Sequence, residues 1–133
     1  MKKLIFIFLL IGLSACEFYY VEPRYDARDR IIGTFDVEEF SNTYGDYSHY
    51  AIQIHRSGAY GNEIYIDNFY GANISVYATL SIDNINIYQQ VVNGYEVVGS
   101  GTVYDDEIHF TYGVKDTFST SRRDYCDATA WRY

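Results

Sequence analysis

The chain of 133 residues holds one proline, two cysteines, one tryptophan and one methionine, and its 10 basic residues are outnumbered by 18 acidic ones. A lone proline excludes polyproline and proline-rich linker segments. A hydrophobic content of 48% excludes the composition of a disordered chain. Two cysteines cannot form the disulfide framework of a small secreted scaffold. Basic residues never run longer than a pair such as Arg122-Arg123, so counterion release has nothing to act through and nucleic acid is excluded as a partner. No phosphate-cradling glycine loop and no nucleophile elbow occurs. No apolar run approaches the roughly 20 residues that span a bilayer.

What is present begins with a leader. Lys2 and Lys3 form a short basic start and Leu4 to Leu13 an apolar core, the charge and length of a secretory signal peptide. The run Leu13-Ser14-Ala15-Cys16 resembles the bacterial lipobox, in which two small residues admit an extended backbone to a peptidase and the following cysteine is diacylated on sulfur. The resemblance implies a signal peptide over 1–15 and a palmitate-type lipid on Cys16, the attachment point to a membrane. Buried methylenes each contribute about 0.8 kcal/mol, so one chain is marginal and two anchor stably. Cys126 is then left without a partner. It lies in the alternating run "YCDATAW" and is expected to be buried as a small hydrophobe rather than to act as a nucleophile.

Residues 17–30 mix aromatics with charges of alternating sign and read as a tether, with a short helical turn expected just before the domain. Across 31–133 the pattern is period-two alternation between turn clusters, the mark of half-buried antiparallel strands. Strands are expected over 32–41, 50–56, 63–69, 75–80, 85–89, 95–103, 107–114 and 125–132, with a turn at Asp83-Asn84 among the connections. Helix is marginal, because no window carries a 3.6-residue period. Eight strands with short connections suit an all-β, up-and-down meander closing into a barrel, which removes exposed edges. A two-sheet sandwich fits the same pattern.

Alternation turns Ile52, Ile54, Ile64, Ile66, Ile85 and Ile87 to one face, the interior. An eight-stranded barrel is either filled by side chains or holds one small ligand. Those six and Phe35 are therefore the candidate lining of a ligand site. Gly99 and Gly101 share a face of the sixth strand, where they would thin the wall or mark a bend.

Gly33-Thr34-Phe35 opening the first strand and Arg132 on the last resemble the lipocalin pattern, with Phe35 in the place of a tryptophan and Arg132 as the basic residue that covers it. The resemblance implies a cation-on-ring closure of the barrel's bottom. Together with "GTFDVEEFS", "NFYG" and "YCDATAWR" in a lipobox-bearing chain, the pattern is similar to the small lipocalin-like (calycin-type) lipoproteins of gut Bacteroidetes. That implies a cell-envelope location, the outer membrane favoured over the inner, with either membrane face open.

Chemistry-bearing clusters are sparse. Glu38 and Glu39 are adjacent and point to opposite faces, so they cannot act as a catalytic pair. Asp105-Asp106-Glu107 lacks the spaced ligands of a calcium loop and reads as a hairpin turn. His49, His55 and His109 lack zinc spacing, although His55 and His109 could meet across the sheet. Neither an enzyme nor a cofactor or metal is expected. Sixteen tyrosines, many on strands or at strand ends, suit cross-strand packing or an aromatic contact surface. The sequence therefore points to a lipid-anchored barrel binding a small apolar or amphiphilic ligand. The alternative is an interaction module that shows an outer tyrosine-rich surface to an envelope protein or glycan.

Overall fold

The computed structural model describes residues 25–133; the leader, the lipobox and Cys16 lie outside the described residues. A 3-10 turn, Ala27–Arg30, precedes eight strands: β1 Gly33–Ser41, β2 Tyr47–Arg56, β3 Glu63–Phe69, β4 Ile74–Ser81, β5 Asn84–Val92, β6 Tyr95–Val103, β7 Glu107–Asp116 and β8 Asp124–Arg132. Each strand pairs antiparallel with the next, and β8 returns to β1, closing the barrel in sequence order. The sandwich is thereby set aside.

Period two decides which side chains fill it. Phe35, Ile52, Ile54, Ile64, Ile66, Ile85 and Ile87 all face inward with at most 3% exposure. They form one packed core with Val76, Ala78, Val97, Ile108 and Phe110. A barrel of this size is just wide enough to be filled by such side chains. Gly99 and Gly101 do not thin the wall. Gly99 lies beside Tyr112 and Gly101 beside Phe110, and a Cβ on Gly99 would strike the Tyr112 side chain and sit 2.6 Å from the Thr111 carbonyl. The missing side chains are what admit two large inward rings.

Several boundaries differ from expectation. β2 starts at Tyr47 because Tyr47, Ser48 and His49 pair with Phe40, Glu39 and Glu38, although all three are exposed and show no alternation. β5 runs on to Val92 through an irregularity between Ile87 and Gln90 that breaks its period. The β4–β5 turn falls on Ile82-Asp83, with Asn84 already in β5. His55 and His109 do not meet, since β2 and β7 are not neighbours. His55 instead lies 2.9 Å from Asp67, and His109 lies 3.4 Å from Glu107.

The two ends of the barrel are built differently. At the end where β1 begins, the 3-10 turn folds over the opening. Asp26 caps it by accepting from the Arg28 amide, and Ile31 joins the core. Arg28 is fully buried: its guanidinium donates to the carbonyls of Ser57, Gly58 and Glu63 at 2.9–3.2 Å and forks onto the Asp26 carboxylate. Arg132 lies over the Phe35 ring, 5.0 Å from its centroid, and donates to the carbonyls of Ile32 and Arg30. That end is closed by apolar packing and paired charge.

Candidate functional site

The other end contains what the alternation of β1, β7 and β8 dictates. If Phe35 and Val37 face in, so must Glu39 and Ser41, and all four are buried. On β8, Cys126, Ala128 and Ala130 face in and bring Asp124 with them. The register then sets Ser41 opposite Cys126, Cys126 opposite Tyr112 and Tyr112 opposite Gly99, one interior row across four strands. Glu39 and Asp124 each lie two residues along their strands from this row. Two carboxylates and a thiol so converge in the upper part of the barrel. Their ligand atoms lie within 4.8 Å of one another and all three residues are buried.

Tyrosines and a serine satisfy this cluster. Tyr50 donates to Glu39 Oε2 at 2.6 Å, Tyr112 donates to the same oxygen, and the two phenol oxygens are 2.9 Å apart. Ser41 and Tyr70 donate to the two oxygens of Asp124, each at 2.5 Å. Among the described residues no buried side-chain polar atom lacks a partner, and no ion pair reaches Glu39 or Asp124. The cluster is therefore two acids held by neutral donors. Burial, reinforced by the neighbouring carboxylates, raises the Tyr50, Tyr70 and Tyr112 phenols above their usual range, so they stay protonated and donate.

Cys126 is 1% exposed and has no disulfide partner among the described residues. Burial, then the charges of Glu39 and Asp124, push its thiol well above the usual range. A thiol held in that form is a poor nucleophile. Two carboxylate oxygens and a sulfur are donors that zinc accepts. Hydroxyls already occupy both carboxylates, so a metal here would have to displace Tyr and Ser donors.

Tyr70 roofs the cluster by an unusual backbone choice. It follows β3 at φ +61°, beside Gly71 at +61° and between Asn68 and Asn73, also in the left-handed region. A bulky residue there is uncommon and points to function or strain. The conformation brings its hydroxyl to Asp124 and its ring edge-on to Tyr112 and Tyr95, at 6.5 and 6.4 Å between centroids. Outside this roof lies a cleft of about 240 Å³ lined by Tyr44, Tyr70, Tyr95, Val114, Asp116, Ser121, Arg122 and Asp124. Arg122 lies 5.9 Å from the Tyr44 ring centroid. Larger clefts of about 700 and 430 Å³ flank the 3-10 turn at the opposite end, but neither gives onto a buried titratable group. None of the clefts described here is lined by Phe35 or the six interior isoleucines.

No protein-family model matches the chain, and no curated protein matches it. Its fold is similar to that of a solved redesigned β-barrel. The match has a TM-score of 0.57 at 15% identity and covers 84% of this chain and 99% of the other. The likeness is one of architecture alone, a β-barrel.

Sequence reasoning found the inward isoleucines and the buried Cys126. It left unassigned Glu39, Asp124 and the tyrosine hydroxyls that join them. The signal for Glu39 was available, since it shares the parity of Phe35 and Val37. For Tyr70 there was none, because its direction depends on a loop conformation that no periodicity encodes.

Proposed function

We propose that the protein is a lipocalin-like lipoprotein of the cell envelope, tied to a membrane through Cys16, that binds rather than catalyses. Its ligand is met at the tyrosine-lined mouth of the barrel instead of among the central isoleucines. The observation that carries this reading is the pair of buried carboxylates, Glu39 and Asp124, held only by neutral donors beneath an open cleft. A barrel of this size needs no charge in its core, and burying two acids without a cation is unfavourable. Around them burial raises Tyr50, Tyr70, Tyr112 and Cys126 above their usual ranges, and titratable groups so shifted beside a cleft make a candidate functional site. The Phe35–Arg132 contact supports the lipocalin-like part of the reading.

The lining suggests the ligand's chemistry. Asp116 and Asp124 set a negative field, and the Tyr44, Tyr70 and Tyr95 rings offer faces that attract a cation. Arg122, over Tyr44, already uses one such face. The ligand class is a small amphiphile with an ammonium-type head. Titration of the protein with tetramethylammonium, followed by amide NMR, should shift the signals of Tyr70, Tyr95, Ser121 and Arg122. The uncharged analogue tert-butanol should not, and Tyr95→Ala should abolish the response. Equal shifts with both probes, or shifts spread over the whole barrel, would remove the reading. The anchor is tested separately by feeding cells an alkynyl palmitate: label and membrane association should both be lost in Cys16→Ala.

A second reading, an interaction module, is favoured by the outer face. His55 stacks on Tyr65, and Tyr65 meets Tyr77 edge-on, at 5.7 and 5.9 Å between centroids. These rings form a ladder over β2, β3 and β4 that suits a glycan or an envelope protein. Tyr65→Ser with Tyr77→Ser should then abolish capture of that partner without altering the tetramethylammonium response.

A further inference from the structure

The closed end of the barrel carries exposed large side chains, as the mouth does with Tyr44, Tyr47, Phe118 and Tyr125. Tyr25, Tyr60, Ile82 and Tyr133 are 78–83% exposed, and Tyr104 and Trp131 about half exposed. They belong to the start of the described chain (Tyr25), the β2–β3, β4–β5 and β6–β7 connections (Tyr60, Ile82, Tyr104), the last residue but one of β8 (Trp131) and the residue after β8 (Tyr133). Nearly every connection at this end therefore presents one aromatic or large aliphatic group outward. Ile82 does so at a cost, since it sits at φ +55° in the first position of a two-residue hairpin turn. That position favours glycine and is rare for a β-branched residue.

We propose that this end is a membrane-docking face, which the Tyr25, Tyr60, Ile82, Tyr104, Trp131 and Tyr133 side chains seat in the interfacial layer of a lipid bilayer. The inference rests on the reading of Cys16 as the lipid anchor and adds to it an orientation. The occupant follows from chain length. Only residues 17–24 separate Cys16 from Tyr25, a reach of at most about 30 Å when fully stretched. The barrel is about 20–25 Å tall for strands of this length at the usual tilt. To bring the open mouth to the bilayer the tether would have to be almost fully extended along the barrel, whereas the closed end needs no extension at all.

The chemistry of the face matches an interface. Tyrosine and tryptophan are the residues that gather at the headgroup level, where an apolar ring and a polar tip are both accommodated. The arginines of the 3-10 turn and of β2 are paired, whereas Asp105 and Asp106 beside Tyr104 have no ion-pair partner among the described residues. Arg28 pairs with Asp26, Arg30 with Asp83, and Arg56 with Asp26 and Asp29. Pairing lowers the cost of bringing these side chains to a lipid surface. The face lacks the unpaired lysine and arginine cluster that reads anionic lipid, so the bilayer it fits is zwitterionic.

Trp131 is the sole tryptophan and so reports on this face. In the unfused full-length chain Cys16 can be joined to a maleimide phospholipid, because Cys126 is buried, and the conjugate placed in phosphatidylcholine nanodiscs with brominated acyl chains. Trp131 emission should shift to the blue and lose intensity relative to unbrominated discs, and Ile82→Gly, which relieves the turn, should weaken that loss. In Trp131→Phe with Phe118→Trp the reporter moves to an exposed position at the open mouth and should show no loss. Equal quenching at the two ends, quenching at Phe118→Trp alone, or quenching at neither would overturn the docking face. The anchor is judged independently by the intact mass of the chain isolated from cells, where an unmodified Cys16 would overturn it and leave the fluorescence result to speak for geometry alone.

Discussion

Tyr112→Phe removes one buried hydroxyl and keeps the ring, which makes it the sharpest probe of the buried cluster. The lost group donates to Glu39 and lies 2.9 Å from the Tyr50 oxygen. A hydrogen bond to a charged acceptor is worth about 1.5–3 kcal/mol net. Tyr50 remains as a second donor at 2.6 Å, so the loss should fall near the middle of that range, about 2 kcal/mol. With a urea slope of about 1.5 kcal/mol/M the unfolding midpoint should drop by roughly 1.3 M. The companion variant removes acceptor and donors together: Glu39→Leu, Tyr50→Phe, Tyr112→Phe. Replacing a buried polar set by apolar groups of similar shape is often neutral or stabilising, so this triple variant should return to within about 1 kcal/mol of the parent. Its midpoint should lie above that of Tyr112→Phe. A cost below about 0.5 kcal/mol for Tyr112→Phe, or a triple variant less stable than the single one, would refute the claim that the cluster is an expense to stability kept for binding.

Three further outcomes follow from the geometry. Gly99→Ala should cost about 1–3 kcal/mol by overpacking, because its methyl group would meet Tyr112 and the Thr111 carbonyl; it should also alter the tetramethylammonium response, which thermal melting alone would not reveal. Arg132→Ala should cost about 1–2 kcal/mol through the lost Phe35 ring contact and the carbonyls of Ile32 and Arg30, read as a fall in the urea midpoint, with Arg132→Lys only partly restoring it. The hydrogen bonds from Arg28 hold Asp26 down to about 2 against an ordinary 3.8. A depressed acid stabilises the fold above its unfolded value, and that stabilisation disappears as the pH falls through the folded one, here between about pH 4 and pH 2. Asp26→Asn should flatten that part of a stability–pH curve, and an unchanged slope would show that Arg28 does not hold the carboxylate.

The barrel was legible because its strands alternate strongly over their middles: Ile52 and Ile54, Ile64 and Ile66, Ile85 and Ile87 each pin a face, and turn residues separate the runs. The ends were less legible for physical reasons. Tyr47 to His49 are all exposed, so only pairing with β1 marks them as strand. At Gln90 the irregularity with β6 changes the parity, and the hydrophobic pattern no longer reports the sheet. Ile82 occupies a turn position that its chemistry argues against, so a residue-by-residue reading places the turn one step late. Arg28 was hidden for the opposite reason: an arginine among alternating charges reads as solvated, and only the carbonyls of the β2–β3 connection make its burial tolerable.

The candidate site shows where local pattern stops being sufficient. Parity alone sends Glu39 inward, but parity cannot say that burial is compensated, and an unpaired inward acid would ordinarily be evidence against a strand assignment. The compensation comes from Tyr50, one strand away, and Tyr112, which is distant in sequence; that ring fits only because the residue beside it on β6 is Gly99. Asp124 has the same dependence on Ser41 and on a left-handed Tyr70. Each polar group is therefore explained by a residue on another element, while each isoleucine is explained by its own strand. The apolar middle could be read from the chain one segment at a time; the mouth could be read only after closure had brought β1, β7 and β8 together, which is also why the proposed ligand contact is placed there and not in the core.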